Sequence, residues 1–554
     1  MKSGLLTPLV NTCIVKAIGD PMANQFNNVS KLRPGRSVFN LSYEKKFNCD
    51  MGMLIPVACD EVVPGDQFRI SNEVVIRWQP LIKPILHEVN VFTHYFFVPY
   101  RLLWDNSDTD SWEAFITGGP DGTLEPQIPT WQAAPLETAV GTLWDYLGFP
   151  IDLTASADNA NAPIAFPKRA YNLIWNEYYR DQTLQTEVAE DNYQILFRAW
   201  EKDYFTSLLP WQQRNPIAPS LPIVGSTSAV FRSQEEAGPP SSTTIAPNAV
   251  VTDTGEFFAT TGQLQDFIRG LNQNDVDLSL ASSFDIADLR EVVQIQKFLE
   301  RNARVGARYT EFIGAHFGPR VAPTDARLDR PEYIGGTRSP VIISEVLQTS
   351  TSGYESSPIS ETPQGNLAGH GITADRNMVG SYKASEFGLI MGIMSVMPRP
   401  AYQQGIDRQW LHETKYDFYF PEFAHLSEQP VLTRELYATD VAAENNLLVG
   451  YQGKYDHMRV KKNLICGTMR STAAVPIDYW HLARNFAAAP ILDGTFITTG
   501  DPTKVTGESP SGTFIRKDIF AVQDEYGLIV NYANKIKAIR PMPAASDPGM
   551  MDHF

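Results

Sequence analysis

The segment "HEVNVFTHYFFVPYRLLW", residues 87–104, places two histidines and a glutamate within eight positions, yet its periodicity is that of a strand. Val89, Val91, Thr93, Tyr95 and Phe97 fall on one face, and Asn90, Phe92, His94, Phe96 and Val98 on the other. Both faces are mostly apolar, which predicts a strand in the middle of a sandwich. His87 and His94 have opposite parity and therefore point to opposite faces. They cannot close on one ion within the strand, and the zincin spacing of two histidines four apart on a helix is absent. The reading is two packed or hydrogen-bonded histidines, with no metal site.

The same period appears on either side of this segment. In "QFRISNEVVIRW" (67–78), Phe68, Ile70, Val74 and Ile76 share one parity; Arg69, Ser71, Glu73 and Arg77 share the other, with Val75 among them. That predicts a half-buried strand, preceded by a second one in "MLIPVACDEVVPGD" (53–66) that ends in a turn. Further strands are expected in "SPVIISEVLQTS" (339–350), "EFGLIMGIMSVMP" (386–398) and "GLIVNYANKIKAIRPMP" (527–543). The middle of the chain turns helical. "FPKRAYNLIWNEYYRDQ" (166–182) opens with Pro167 in a first-turn position and repeats Tyr171, Ile174, Trp175 and Tyr178 at helical spacing. "SSFDIADLREVVQIQKFLERNAR" (282–304) has a Ser/Asp-rich start, an apolar face of Val292, Ile295 and Leu299, and a basic stripe from Arg290 to Arg304. Strands at both ends, with helices and long loops between, predict one mainly β sandwich elaborated by insertions.

Composition narrows the function. The chain has 554 residues and a formal net charge of -17, so contact with nucleic acid must be local or shared with another molecule. Cys13, Cys49, Cys59 and Cys466 form no C-x-x-C pair and no disulfide framework, which fits a reducing compartment. The N-terminus lacks a signal-peptide layout and no apolar stretch is long enough to span a bilayer; the protein reads as soluble and intracellular when made. The G-x-G-x-x-G, phosphate-loop and G-x-S-x-G patterns are missing, so no catalytic residue and no cofactor are assigned. In so acidic a chain the basic clusters are exceptions. Lys31, Arg33 and Arg36 surround a Pro-Gly turn, and Lys535, Lys537 and Arg540 lie near the C-terminus, with Lys535 and Lys537 on one face. These six are the nucleic-acid candidates, to be weighed against ordinary solvated charge.

Whole blocks of the chain resemble a known family. "LRPGRSVFNLSYEKKF", "RAYNLIWNEYYRDQ", "WEKDYFTSLLPWQQR", "QKFLERNARVGARYTEFIGAHFG", "ARLDRPEYIGGTRSPVIISEVLQTS", "AYQQGIDRQW" and "NKIKAIRPMP" resemble, in collinear order, the major capsid protein of gokushoviruses, small single-stranded-DNA phages of the Microviridae. Two places depart from the pattern: the stretch 221–281, and "WDNSDTDSWEAF", which carries extra residues between Asn106 and Trp112.

The resemblance implies an eight-stranded antiparallel jelly-roll β-sandwich of the viral capsid type with long helical and loop insertions. It divides the chain into an extended N-terminal arm (1–36), a first part of the jelly roll with helical insertions (37–220), a variable surface insertion (221–281), and a helix with the remaining strands and a C-terminal extension (282–554). It also implies a T=1 icosahedral shell of about sixty copies enclosing single-stranded DNA. The variable insertion would form a protrusion at the three-fold axes. Expected partners are an internal scaffolding protein, a small basic DNA-binding protein, a minor pilot protein and a host surface receptor, carbohydrate among its candidates. The protein would be made in the host cytoplasm and reside in the virion. The rival reading is a carbohydrate-binding or carbohydrate-cleaving sandwich, since lectins share the architecture.

Overall fold

Residues 67–78 form a strand with one dry face and one wet face, and the rest of the fold is arranged around that asymmetry. The computed structural model describes residues 35–118, 123–151, 162–213, 286–304, 330–347, 367–424, 426, 428–500 and 514–545. Lys31, Arg33, Cys13 and the insertion 221–281 lie outside them. In chain order the main strands are β1 (Ser37–Asn40), β2 (Tyr43–Cys49), β3 (Ile55–Val62), β4 (Gln67–Trp78), β5 (Val89–Pro99), β6 (Glu332–Pro340), β7 (Ile342–Leu347), β8 (Leu367–Lys383), β9 (Gly388–Pro398), β10 (Glu428–Leu432), β11 (Leu448–Gly453) and β12 (Leu528–Arg540). The two longest α-helices among the described residues are α1 (Phe166–Ile174) and α2 (Ile286–Arg304).

Two antiparallel sheets make a mainly β sandwich. The larger runs β1-β12-β4-β8-β7, with β2 also on β12. Ser37 faces Arg540 and Tyr43 faces Asn534 in one unbroken register, so β1 and β2 act as a single interrupted strand. The smaller sheet runs β3-β9-β5-β6. The turn from β3 to β4 uses Gly65 at φ +94°, a conformation that a side chain would strain.

The predicted strand in 339–350 is divided. Ser339 and Pro340 end β6 in the smaller sheet, whereas β7 pairs with β8 in the larger one. Val341, between them, donates its N–H to Val89 O at 2.9 Å, which anchors the crossover to the start of β5.

Between the sheets, Phe68, Ile70, Val74, Ile76 and Trp78 of β4 are at most 2% exposed, and each such burial is worth about 1.5–3 kcal/mol. The core also contains a polar bridge, in which Asn72 Oδ1 alone of the named side-chain atoms has no partner among the described residues. Tyr95 Oη donates to Asn534 Oδ1 at 2.6 Å, Asn72 Nδ2 donates to Tyr532 Oη at 2.8 Å, and Asn534 Nδ2 donates to Val57 O at 2.9 Å. Such a network joins β3, β4, β5 and β12 in one register. The described cysteines, Cys49, Cys59 and Cys466, are free thiols.

The outer face of the smaller sheet is covered. Helix α1 has Pro167 in its first turn, as predicted, and continues into a π-turn at Trp175–Tyr179. That one-residue slip turns Tyr178 and Tyr179 onto β5 together: the Phe96 and Tyr178 ring centroids are 4.7 Å apart, and Tyr179 Oη meets His94 Nδ1 at 2.8 Å. Arg198 lies over the Phe92 ring at 4.2 Å. Helix α2 forms where expected, but its apolar stripe is not core: Ile295 is exposed and Val292 and Leu299 are half-buried. The sequence pattern identifies an amphipathic helix without specifying what covers it.

Candidate nucleic-acid interface

The larger sheet has an outer face of a different kind. The polar parity of β4 puts Arg69, Glu73 and Arg77 on it, exposed. On β12 the same face holds Ile529, Lys535 and Lys537, since Lys537 is opposite Arg69 and Lys535 opposite Ser71. On β8 it holds Arg376, opposite Glu73, and Met378, opposite Ser71; Ser381 and Lys383 follow past a bulge. On β2 it holds Glu44 and Lys46, opposite Ala533 and Asn531. Seven basic side chains, Lys46, Arg69, Arg77, Arg376, Lys383, Lys535 and Lys537, thus share β-sheet positions with two acidic ones, Glu44 and Glu73. The concentration stands out against the chain's charge of -17.

Little on this face is neutralised internally. Lys535 approaches Glu73 at 3.8 Å and Lys46 approaches Glu44 at 3.5 Å, all four side chains well solvated. Pairs of that kind contribute about 0–1 kcal/mol. Arg69, Arg77, Arg376, Lys383 and Lys537 form no ion pair among the described residues. The neighbouring Lys45 points inward: burial lowers its ammonium to about 8, and its Nζ donates to Pro56 O at 2.7 Å and to Tyr146 O. Adjacent lysines on one strand therefore have opposite roles.

The six basic residues singled out in the sequence separate accordingly. Lys535 and Lys537 stand together on the exposed face. Arg540 has the opposite parity: its Nε is 3.4 Å from Asp66 Oδ2, its Nη2 donates to Glu61 O at 2.7 Å, and its guanidinium lies over Phe68. It neutralises a carboxylate with no exposure to solvent. Arg36 donates to Gly65 O at 3.1 Å, at the same turn. Lys46, Arg69, Arg77, Arg376 and Lys383 were not singled out in the sequence. Parity marked Arg69 and Arg77 as outward-facing, but nothing local placed them beside Lys537 of a strand more than 450 residues away.

The histidines make separate contacts. His87 Nε2 meets Arg399 O at 2.6 Å, and His481 Nε2 meets Met469 O at 2.6 Å. Burial, with Arg198 adding to it, lowers His94 to about 4, so it packs as a neutral ring. No group of three metal-ligating side chains occurs among the described residues, and no helix among them is long and apolar enough to cross a membrane.

Comparison with known proteins gives this sandwich a context. A family model described as capsid protein (F protein) matches residues 27–550. The chain is 33% identical to capsid protein VP1 of Chlamydia phage 1, over 96% of this chain and 98% of that protein. It is 31% identical to capsid protein VP1 of Bdellovibrio phage phiMH2K, over 96% and 98%, and 29% identical to that of Spiroplasma virus 4, over 93% and 95%. These relatives bear out the gokushovirus resemblance, and their names describe a structural role, not a catalytic one. The chain belongs to the phage capsid protein (F protein) family and is a structural protein, not an enzyme.

Proposed function

We propose that this chain is the repeating unit of a T=1 icosahedral shell of about sixty copies, and that the exposed basic face of its larger sheet lies against enclosed single-stranded DNA. The observation that carries the reading is that face itself: seven cations on solvent-facing sheet positions of a strongly acidic capsid-family chain. A flat sheet with lysines and arginines at alternate positions meets phosphates at many registers and reads no sequence, as a container for a whole genome requires. Exposed Met378 and Ile529 add apolar contact for bases.

The fold of this unit is, on the same reading, an eight-stranded jelly roll. With β1 and β2 taken as one strand, the orders β2-β12-β4-β8 and β3-β9-β5-β6 support it. Most successive strands also alternate between sheets. The proposed domain boundaries follow the sequence, with the arm 1–36 carrying Lys31, Arg33 and Arg36 as a second contact set. Arg540 contributes less, because Asp66 already holds it. The insertion 221–281 serves host attachment, and a small basic DNA-binding protein meets the phosphate charge that the coat leaves. The internal scaffolding protein and the minor pilot protein complete the particle, made in the host cytoplasm.

The test is the triple variant Lys535→Glu, Lys537→Glu and Arg69→Glu. Shells should still form, with less DNA recovered per particle. Single-stranded DNA binding by the free subunit should lose about 0.7 of salt slope for each phosphate contact removed. Particles with full DNA content and an unchanged slope would refute the assignment.

A further inference from the structure

The segment between β9 and β10 presents aromatic rings to solvent. Trp410 is 76% exposed, and Tyr416, Phe418, Tyr419 and Phe420 are between 43% and 57% exposed. Rings of this size bury about 150–250 Å² each when covered, so half of five is on the order of 500 Å². A typical monomer's largest apolar patch is about 300–600 Å², and one side of a standard protein interface is about 800 Å². Taken together the exposed rings amount to most of one side of an interface.

The patch is held rigidly despite its exposure. The Asp417 carboxylate accepts from Thr414 N at 2.7 Å, Thr414 Oγ1 at 2.9 Å and Glu413 N at 3.1 Å. Tyr455 Oη donates to Phe418 O at 3.1 Å, and the His412 ring packs 4.6 Å from the Phe418 ring. Arg434 Nη2 donates to Glu413 at 3.0 Å. A loop fixed in this way loses little freedom on docking.

Behind the segment is a polar cavity of about 270 Å³, lined in part by Arg408, His412, Asp417, Gln429, Arg434 and Lys454. Gln429, on β10, is 3% exposed, and its Oε1 accepts the Tyr455 N–H at 3.4 Å. Its amide nitrogen has no acceptor among the described residues, and neither has Arg434 Nε.

We infer that the aromatic segment Trp410–Phe423 forms a contact with a second copy of this chain, which covers its exposed rings. The inference rests on the shell reading above. The occupant is a second copy because the chain belongs to a capsid family, and because the exposed rings amount to most of one side of a standard interface. A contact between two different patches of the same chain propagates around a symmetry axis, as ring closure in a shell requires.

The test uses the full chain, separated by sedimentation into free subunits and particles. The double variant Trp410→Ala, Tyr416→Ala should lower the particle fraction at least tenfold with the free subunit's Tm unchanged. Hydroxyl-radical footprinting should show Trp410 and Tyr416 protected in wild-type particles and reactive in free subunits. If the double variant assembles like the wild type, or the two rings stay reactive in particles, this contact is wrong while the shell reading stands. Rings reactive in particles of this chain alone but protected in whole virions would replace the second copy by another protein. If the wild type never assembles, the shell reading fails and this inference with it.

Discussion

Strand β5 buries ten of its eleven residues, and only His94 is half-exposed. Strand β12, in the facing sheet, leaves Ile529, Lys537 and part of Lys535 in solvent along one whole side. The first strand has a second layer over it, built by α1, the π-turn and Arg198. The second has none among the described residues. Similar alternating backbones thus serve two purposes: one sheet carries the elaborations of the fold, and the other, among the described residues, is left bare and cationic. An outer face that a monomer leaves uncovered and charged is where a large polyanion can lie without rearranging the protein.

Changes on the two sheets should separate these roles. Phe96→Ala, on the covered sheet, removes a ring packed against Tyr178 and should destabilise the subunit by about 3–5 kcal/mol in urea titration. A loss below about 1 kcal/mol would mean that the second layer is only loosely applied. Arg540→Ala strands the fully buried Asp66 carboxylate and should cost about 2–3 kcal/mol, with Arg540→Lys recovering part of it.

Acid should act through two histidines, His94 on the covered side and His457 beside His412 and Tyr455. Burial lowers His94 and His457 to about 4, below the ordinary value near 6.5. Their contribution is complete above about pH 6.5 and is lost as pH falls from there toward 4, because the unfolded chain takes up the proton first. Each should account for on the order of 1–3 kcal/mol, and His94→Gln should flatten the stability curve in that window. The smallest effect belongs to the bare sheet: Lys537→Ala should change subunit stability by less than about 0.5 kcal/mol while weakening single-stranded DNA binding. A larger stability change would show that the face has a structural role.

Much of this was legible before any coordinates. The period of two in residues 67–78 gave both faces of β4, and the doubly apolar run at 89–98 gave the interior position of β5, because strand parity is local information. Parity also separates Lys535 and Lys537 from Arg540; grouping the three by closeness along the chain overlooked it. What could not be read was adjacency. Arg69, Arg376 and Lys537 come from strands hundreds of residues apart, and only the register of β4 with β8 and β12 brings them into one field. The split of 339–350 between two sheets was likewise hidden, because both halves carry strand-forming residues and the change of sheet at Val341 depends on a bond to distant Val89.

The position of β12 governs when the molecule can exist at all. It lies between the first strands of the chain and β4, filling a slot that stays open until residues 528–540 have left the ribosome. A nascent chain therefore carries two unfinished sheet edges and no complete sandwich until that strand is made. A fragment ending before residue 528 cannot close the sheet, so a chain without β12 has no finished sandwich to present to its neighbours.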